Sequence, residues 1–215
     1  MRRLTIPYES RAGLILLFAA GFGVPEKARA QGDSVAIARA RADSARYPYT
    51  AADIAFMSHM IGHHAQAIVM SRMAPTHGAS TSVRILADRI INAQQDEIAS
   101  MQRWLRDRRL PVPVPGTALM KMPMHAAHDM LMPGMLTDFQ MKQLDEARGP
   151  EFDRTFLRFM IQHHKGAVVM VKQLFGTNGA GQDQTVFKFA SDVNTDQTTE
   201  IARMEKMLFT FTFGQ

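Results

Sequence analysis

The sequence predicts an all-α protein, a four-helix bundle made of two duplicated helical hairpins with a Met/His-rich linker between them. Three observations predict it. The chain repeats itself at a spacing of one hundred residues. Apolar side chains recur every three or four positions inside each repeat, and Pro and Gly signals bound four segments of about twenty-five residues or somewhat more.

The first thirty residues read as an export signal. Arg2, Arg3 and Arg11 precede or open an apolar run from Ala12 to Val24, and Ala28-Arg29-Ala30 fits the small-x-small pattern of a cleavage site after Ala30. The run is too short for a spanning helix, which needs roughly 20 apolar residues, so no stable membrane insertion is expected once the signal is cleaved. Arg2-Arg3 suggests the twin-arginine route, but its surroundings match that signal poorly. The segment holds five of the 25 basic and two of the 20 acidic side chains, so the chain after Ala30 is nearly balanced. That balance carries no nucleic-acid footprint. An exported, periplasmic protein results, and residues 31–49 form a polar lead-in with a helical turn or two.

In the first hairpin, residues 50–109, Thr50 and Asp53 form a capping-box pattern at the start of a helix that Pro75 and Gly78 close. Phe56, Met60, His63, Ala67, Met70 and Ala74 make one stripe along it. A second helix starts near Ser80 and runs through Val83, Leu86, Ile90, Ile98, Met101 and Leu105 until Pro111, Pro113 and Pro115 forbid continuation. Residues 110–136 are a Pro-, Met- and His-rich linker. The second hairpin, residues 137–215, opens with Thr137-x-x-Gln140 capping a short helix. One long helix follows from Pro150 to about Phe175 and another from about Gln182 to Phe209.

The repeat is specific. Residues 60–70, MIGHHAQAIVM, and 160–170, MIQHHKGAVVM, agree at seven of eleven positions. Asp53 and Phe56 match Asp153 and Phe156. Downstream, Gln94, Glu97, Met101 and Leu105 match Gln197, Glu200, Met204 and Leu208 at an offset of 103.

Composition narrows the chemistry. The 215 residues contain no cysteine, which excludes a disulfide scaffold, a cysteine-ligated zinc module, an iron–sulfur protein and a thiol enzyme. Methionine occurs 17 times, well above its usual share. Any soft-metal chemistry must therefore use thioethers and imidazoles. On a helix Met60 lies one turn from His63 and His64, and His63 two turns from Met70, so Met60, His63, His64 and Met70 can converge with Met160, His163, His164 and Met170. Imidazole nitrogen with thioether sulfur suits copper, Cu(I) above all, with silver as its mimic. Di-iron bundles place Glu-x-x-His on two helices. Here Met60-x-x-His63 and Met160-x-x-His163 put sulfur where the hard oxygen would stand.

Glu97 and Glu200 are left as ligands or salt-bridge partners. His59 faces Phe159 in the repeat and Met73 has no matching methionine, so both are weaker candidates. From Met120 to Met135 the linker carries six methionines and two histidines. Met124, His125, His128, Met130 and Met135 there resemble the flexible metal-catching segments of copper-handling proteins. The bland alternatives are that the methionines fill a core, that the histidines are hydrogen-bonded within it, and that the linker covers the open end of the bundle.

The strings FDRTFLRFMIQHHKGAVVM, preceded by GMLTDFQM, and MSHMIGHHAQAIVM resemble the family known as domain of unknown function 305, over about residues 50–209. The resemblance implies an exported bacterial protein with a ferritin-like four-helix fold. Some members bind copper through methionine and histidine and contribute to copper resistance. By position it points to the same eight ligands, and Met135 and Asp153 lie in family-typical stretches. The chain departs from the simpler members in its Met/His-rich linker, which implies an extra site, and in Lys165, where an acidic residue is common.

The function expected is therefore that of a metal-tolerance protein that sequesters or relays copper. No nucleophile or acid–base constellation marks an enzyme. A metal-dependent oxidase and a non-catalytic helical interaction module are the alternatives. A homo-oligomer and a partner that delivers or accepts copper are left open.

Overall fold

Thr50 stops the incoming chain and starts a helix by a reciprocal exchange: its side chain accepts from the Asp53 N–H, and the Asp53 carboxylate accepts the Thr50 N–H at 2.6 Å. The computed structural model describes residues 34–42, 48–115 and 131–214, and all the regular structure among them is helical. A short helix α1 (34–42) precedes α2 (Ala51–Arg72), α3 (Thr81–Asp107), α4 (Asp138–Glu146), α5 (Gly149–Gly176) and α6 (Gln184–Phe213). The expected export signal of residues 1–30 and most of the linker lie outside the described residues.

Local chemistry sets the remaining boundaries. Ser80 and Thr137 cap α3 and α4 as the sequence indicates, and Thr137 completes a second capping box with Gln140. Pro150 sits in the first turn of α5, where its missing N–H costs nothing. α3 ends before the proline run, because Arg109 adopts a left-handed φ of 57° and the Leu110 N–H returns to the Leu105 carbonyl at 3.0 Å. α6 runs past Phe209 to Phe213, its last turns held by Leu208 and Phe211 packing on the core.

α2 pairs with α3 and α5 with α6, and the two hairpins meet through α2 and α5. Met60 shares one hydrophobic cluster with Met170, and Met70 shares the other with Met160, so α2 and α5 cross antiparallel near their histidine pairs. The stripe expected on α2 is only part of its buried surface. Every residue from Met60 to Ile68 is buried, because α3, α5 and the end of the linker cover it from different sides. A helix enclosed all round loses its amphipathic signature.

The hairpins also lock each other's turns. Asp53 at the start of α2 accepts the Gly181 N–H of the α5–α6 turn at 2.7 Å. Its repeat partner Asp153 accepts the Ser80 N–H of the α2–α3 turn at 3.1 and 3.2 Å. Gly181 has φ +69°, which a side chain would resist. At the far end of α3, the buried Asp183 caps α6 and receives Trp104 Nε1 at 3.1 Å and Arg108 at 2.6 Å. The Arg108 guanidinium also lies against the Trp104 and Tyr49 rings, 4.4 and 5.4 Å from their centroids.

Candidate metal centre

The antiparallel crossing of α2 and α5 brings the duplicated histidines together. His63, His64, His163 and His164 are all 0% exposed. The His63 and His163 rings lie against each other, 3.9 Å between centroids with their planes tilted by 40°, and His64 and His164 flank them at 6.4 and 6.2 Å from their sequence neighbours. Four imidazoles are thus buried in one place, where unpaired polar atoms are costly.

Their hydrogen bonds are incomplete. His63 Nε2 meets the Pro133 carbonyl at 2.9 Å, and its Nδ1 has no partner. His164 Nε2 donates to Glu200 Oε2 at 2.8 Å, and His64 Nε2 stands at the same 2.8 Å from Glu97 Oε2 with poorer alignment. The Nδ1 atoms of both are unpartnered, and neither nitrogen of His163 has a well-formed bond. Burial first, then the neighbouring His64 and His164, lower the His63 pKa to about 3, against the Pro133 contact that raises it. His163 is held well below its ordinary value by burial, then by the three other imidazoles, with only a weak approach to the His63 backbone in opposition. Both rings are therefore neutral and carry free lone pairs.

Outside the glutamates the surface is acidic. Asp196 on α6 has its carboxyl pKa raised by partial burial and by Glu97, Asp192 and Glu200. Lys165, the cation beside the second histidine pair, turns outward and pairs with Glu205 at 2.9 Å.

The methionines flank the histidines in two groups. Met60 and Met170 pack with Met57, Met101 and Trp104, and Met70 and Met160 pack with Met204, Phe152 and Phe156. Each group mixes thioethers from both hairpins, and Met101 and Met204 are themselves repeat partners. Among the described residues, no three His, Asp or Glu side chains already form a metal cage. The unpartnered nitrogens nonetheless fit a soft cation: their lone pairs are buried without donors, and sulfur-bearing clusters adjoin them on both sides.

The end of the linker closes over this centre. Gln66 clamps Leu136, its amide donating to the Leu136 carbonyl at 3.0 Å and accepting the Leu136 N–H at 2.8 Å. Gln162 donates to the Gly134 carbonyl at 3.4 Å. A Cβ at Gly166 would overlap the Pro133 carbonyl, so only glycine lets the strap lie against α5. Met135 is buried beside it, 5% exposed. The site residues Met124, His125, His128 and Met130 lie outside the described residues.

Gln66, Gln162 and Gly166 escape a reading based on what the two repeats share. Their signal lies in the differences, since Gly62-His-His-Ala-Gln66 in one copy faces Gln162-His-His-Lys-Gly166 in the other. His77 is another histidine beyond the pairs. It bonds the Asp145 carbonyl at 3.0 Å and packs on Phe152, tying the α2–α3 turn to the end of α4. His59, half-buried, joins none of these contacts to the pairs, and Met73 packs at the edge of the second cluster.

The model of the family "Domain of unknown function (DUF305)" matches residues 53–208. No match is found among curated proteins. Among solved structures, a DUF305 protein of Streptomyces coelicolor described as secreted is 29% identical, with TM-score 0.63, and the match covers 75% of this chain and 94% of that one. A DUF305 fragment from Deinococcus radiodurans is 29% identical, with TM-score 0.61 and coverage of 74% and 97%. CopM in its Cu(II)-bound form is 31% identical, with TM-score 0.58 and coverage of 74% and 97%; other CopM structures hold Cu(I) and silver.

Proposed function

The chain belongs to the DUF305 family, and from that premise we propose that it is an exported copper-binding protein that sequesters or relays the ion and so contributes to metal tolerance. The observation that carries the reading is the set of four fully buried imidazoles, each with at least one unpartnered nitrogen. Leaving such atoms unpaired costs on the order of 1 to 3 kcal/mol each. A cation that uses the lone pairs offsets that cost. CopM, similar over nearly its whole length, is described with Cu(II), Cu(I) and silver bound, which supports copper as the cargo.

His63, His64, His163 and His164 supply nitrogen, and Met60, Met70, Met160 and Met170 supply sulfur. The sulfur donors favour Cu(I), with silver as its mimic. Residues 50–215 act as one bundle domain, and Met124, His125, His128, Met130 and Met135 serve as a further set of ligands on the linker. Export follows from the leader of residues 1–30. Among the described residues no helix is long and apolar enough to cross a membrane.

Titration of the purified protein with Cu(I) against a competing chelator tests the reading. A variant with all four core histidines replaced by glutamine should bind at least about a hundredfold more weakly, the scale on which lost ligands and their supports act. Equal affinity of the two proteins would refute the assignment.

A further inference from the structure

The two glutamates that face the histidine pairs are repeat partners, and each stands 2.8 Å from Nε2 of the second histidine in its pair. They come from outside the crossing helices, Glu97 from α3 and Glu200 from α6. Each histidine is fully buried, whereas the glutamate side chains are 18% and 16% exposed. The carboxylates therefore sit between the buried rings and the solvent. A carboxylate has only acceptors to offer, so the ring nitrogen facing it is the one that carries the proton.

That arrangement fixes which atom remains. A ring that carries its proton at Nε2 has its lone pair on Nδ1, and Nδ1 of both His64 and His164 is buried without a partner. The Pro133 carbonyl treats His63 in the same way, taking Nε2 and leaving Nδ1 open. Three rings on two helices, facing two repeat-related carboxylates and one backbone carbonyl, thus expose the same nitrogen.

We infer that Glu97 and Glu200 are positioning residues for the metal: each holds its histidine as the Nε2–H tautomer, so that His64 and His164 coordinate through Nδ1. The inference rests on the copper-binding reading and adds to it the donor atom and the groups that select it. Carboxylates that accept the outer N–H of a ligating histidine fix its ring and raise its basicity, and their loss commonly weakens metal binding 10- to 100-fold. The two are not equal. The Glu200 contact is a well-aligned hydrogen bond and the Glu97 contact is not, so the second pair is the better ordered in the metal-free protein.

Long-range proton–nitrogen NMR of the full chain labelled with 15N-histidine tests this, first without metal and then with one equivalent of Ag(I). His64 and His164 are expected as Nε2–H tautomers before metal, with silver shifting their Nδ1 resonances. Glu200→Gln keeps an acceptor oxygen and should preserve both results. Glu200→Ala should give mixed tautomers at His164 and silver binding 10- to 100-fold weaker. An Nδ1–H tautomer in the metal-free wild-type protein overturns the inference, as does silver shifting Nε2, or Glu200→Ala keeping both tautomer and affinity. Correct tautomers with no silver response at any histidine would instead overturn the metal reading beneath it. The wild-type spectra decide the tautomer question even where a variant does not fold.

Discussion

Acid should unfold the metal-free protein through its innermost histidines. In the folded chain His63 has its pKa lowered to about 3 and His163 is held well below its ordinary value, both chiefly by burial. The unfolded chain binds a proton at each near the ordinary pKa of about 6.5. Below that pH the unfolded state therefore binds more protons than the native state, and stability falls as pH falls. The slope is about 1.4 kcal/mol per pH unit for each such histidine. Between pH 7 and pH 5, His63 contributes a loss of about 2 kcal/mol, and His163 adds a loss in the same direction. Urea unfolding followed by the fluorescence of Trp104, which is 2% exposed in the folded core, measures it directly. His163→Leu removes one buried titrating ring, so its own loss over the same interval should be smaller than that of the wild-type protein. Identical losses in the two proteins would refute the claim that His163 is buried neutral.

Three further outcomes follow from the contacts of the linker end and of the α5–α6 turn. Gly166→Ala drives a methyl group into the Pro133 carbonyl and should cost about 1 to 3 kcal/mol, with the Leu136 amide losing its protection from hydrogen exchange. Gln66→Leu leaves the Leu136 N–H and carbonyl unpaired in a buried place, each at about 1 to 3 kcal/mol, and thermal unfolding should show it. Asp53→Ala removes a helix cap and the tie to Gly181 together; denaturation should register a loss of at least about 2 kcal/mol, and a near-neutral result would mean that the turn is held by packing alone.

Helix starts were legible in the sequence from their capping residues, and the histidine pairs from the repeat. Thr50 with Asp53, Ser80, and Thr137 with Gln140 announced three helix starts that the structure reproduces with the expected hydrogen bonds. The Met-Ile-x-His-His pairs indicated that histidines from two helices would converge, and the two inner rings do meet in a tilted contact. The methionines were harder to place. Helical spacing puts Met60 and Met70 on one side of α2, but the antiparallel crossing sends them into different clusters, each with the opposite methionine of α5. Asp153 was recognisable as the repeat partner of Asp53 and as part of a family-typical stretch, but its role in holding the turn of the other hairpin depends on a contact between residues far apart in the chain. The strap at Pro133 to Leu136 was hidden for a related reason. Its partners are the positions where the two copies differ, and a comparison that seeks identities passes over them.

X-ray absorption at the copper edge of the Cu(I)-loaded protein tests the central claim most directly. Imidazole nitrogen and thioether sulfur are expected together in the copper shell, at roughly 2.0 and 2.3 Å by analogy with other first-row metal sites. A shell of oxygen alone, without sulfur or the outer scattering of imidazole rings, would contradict it.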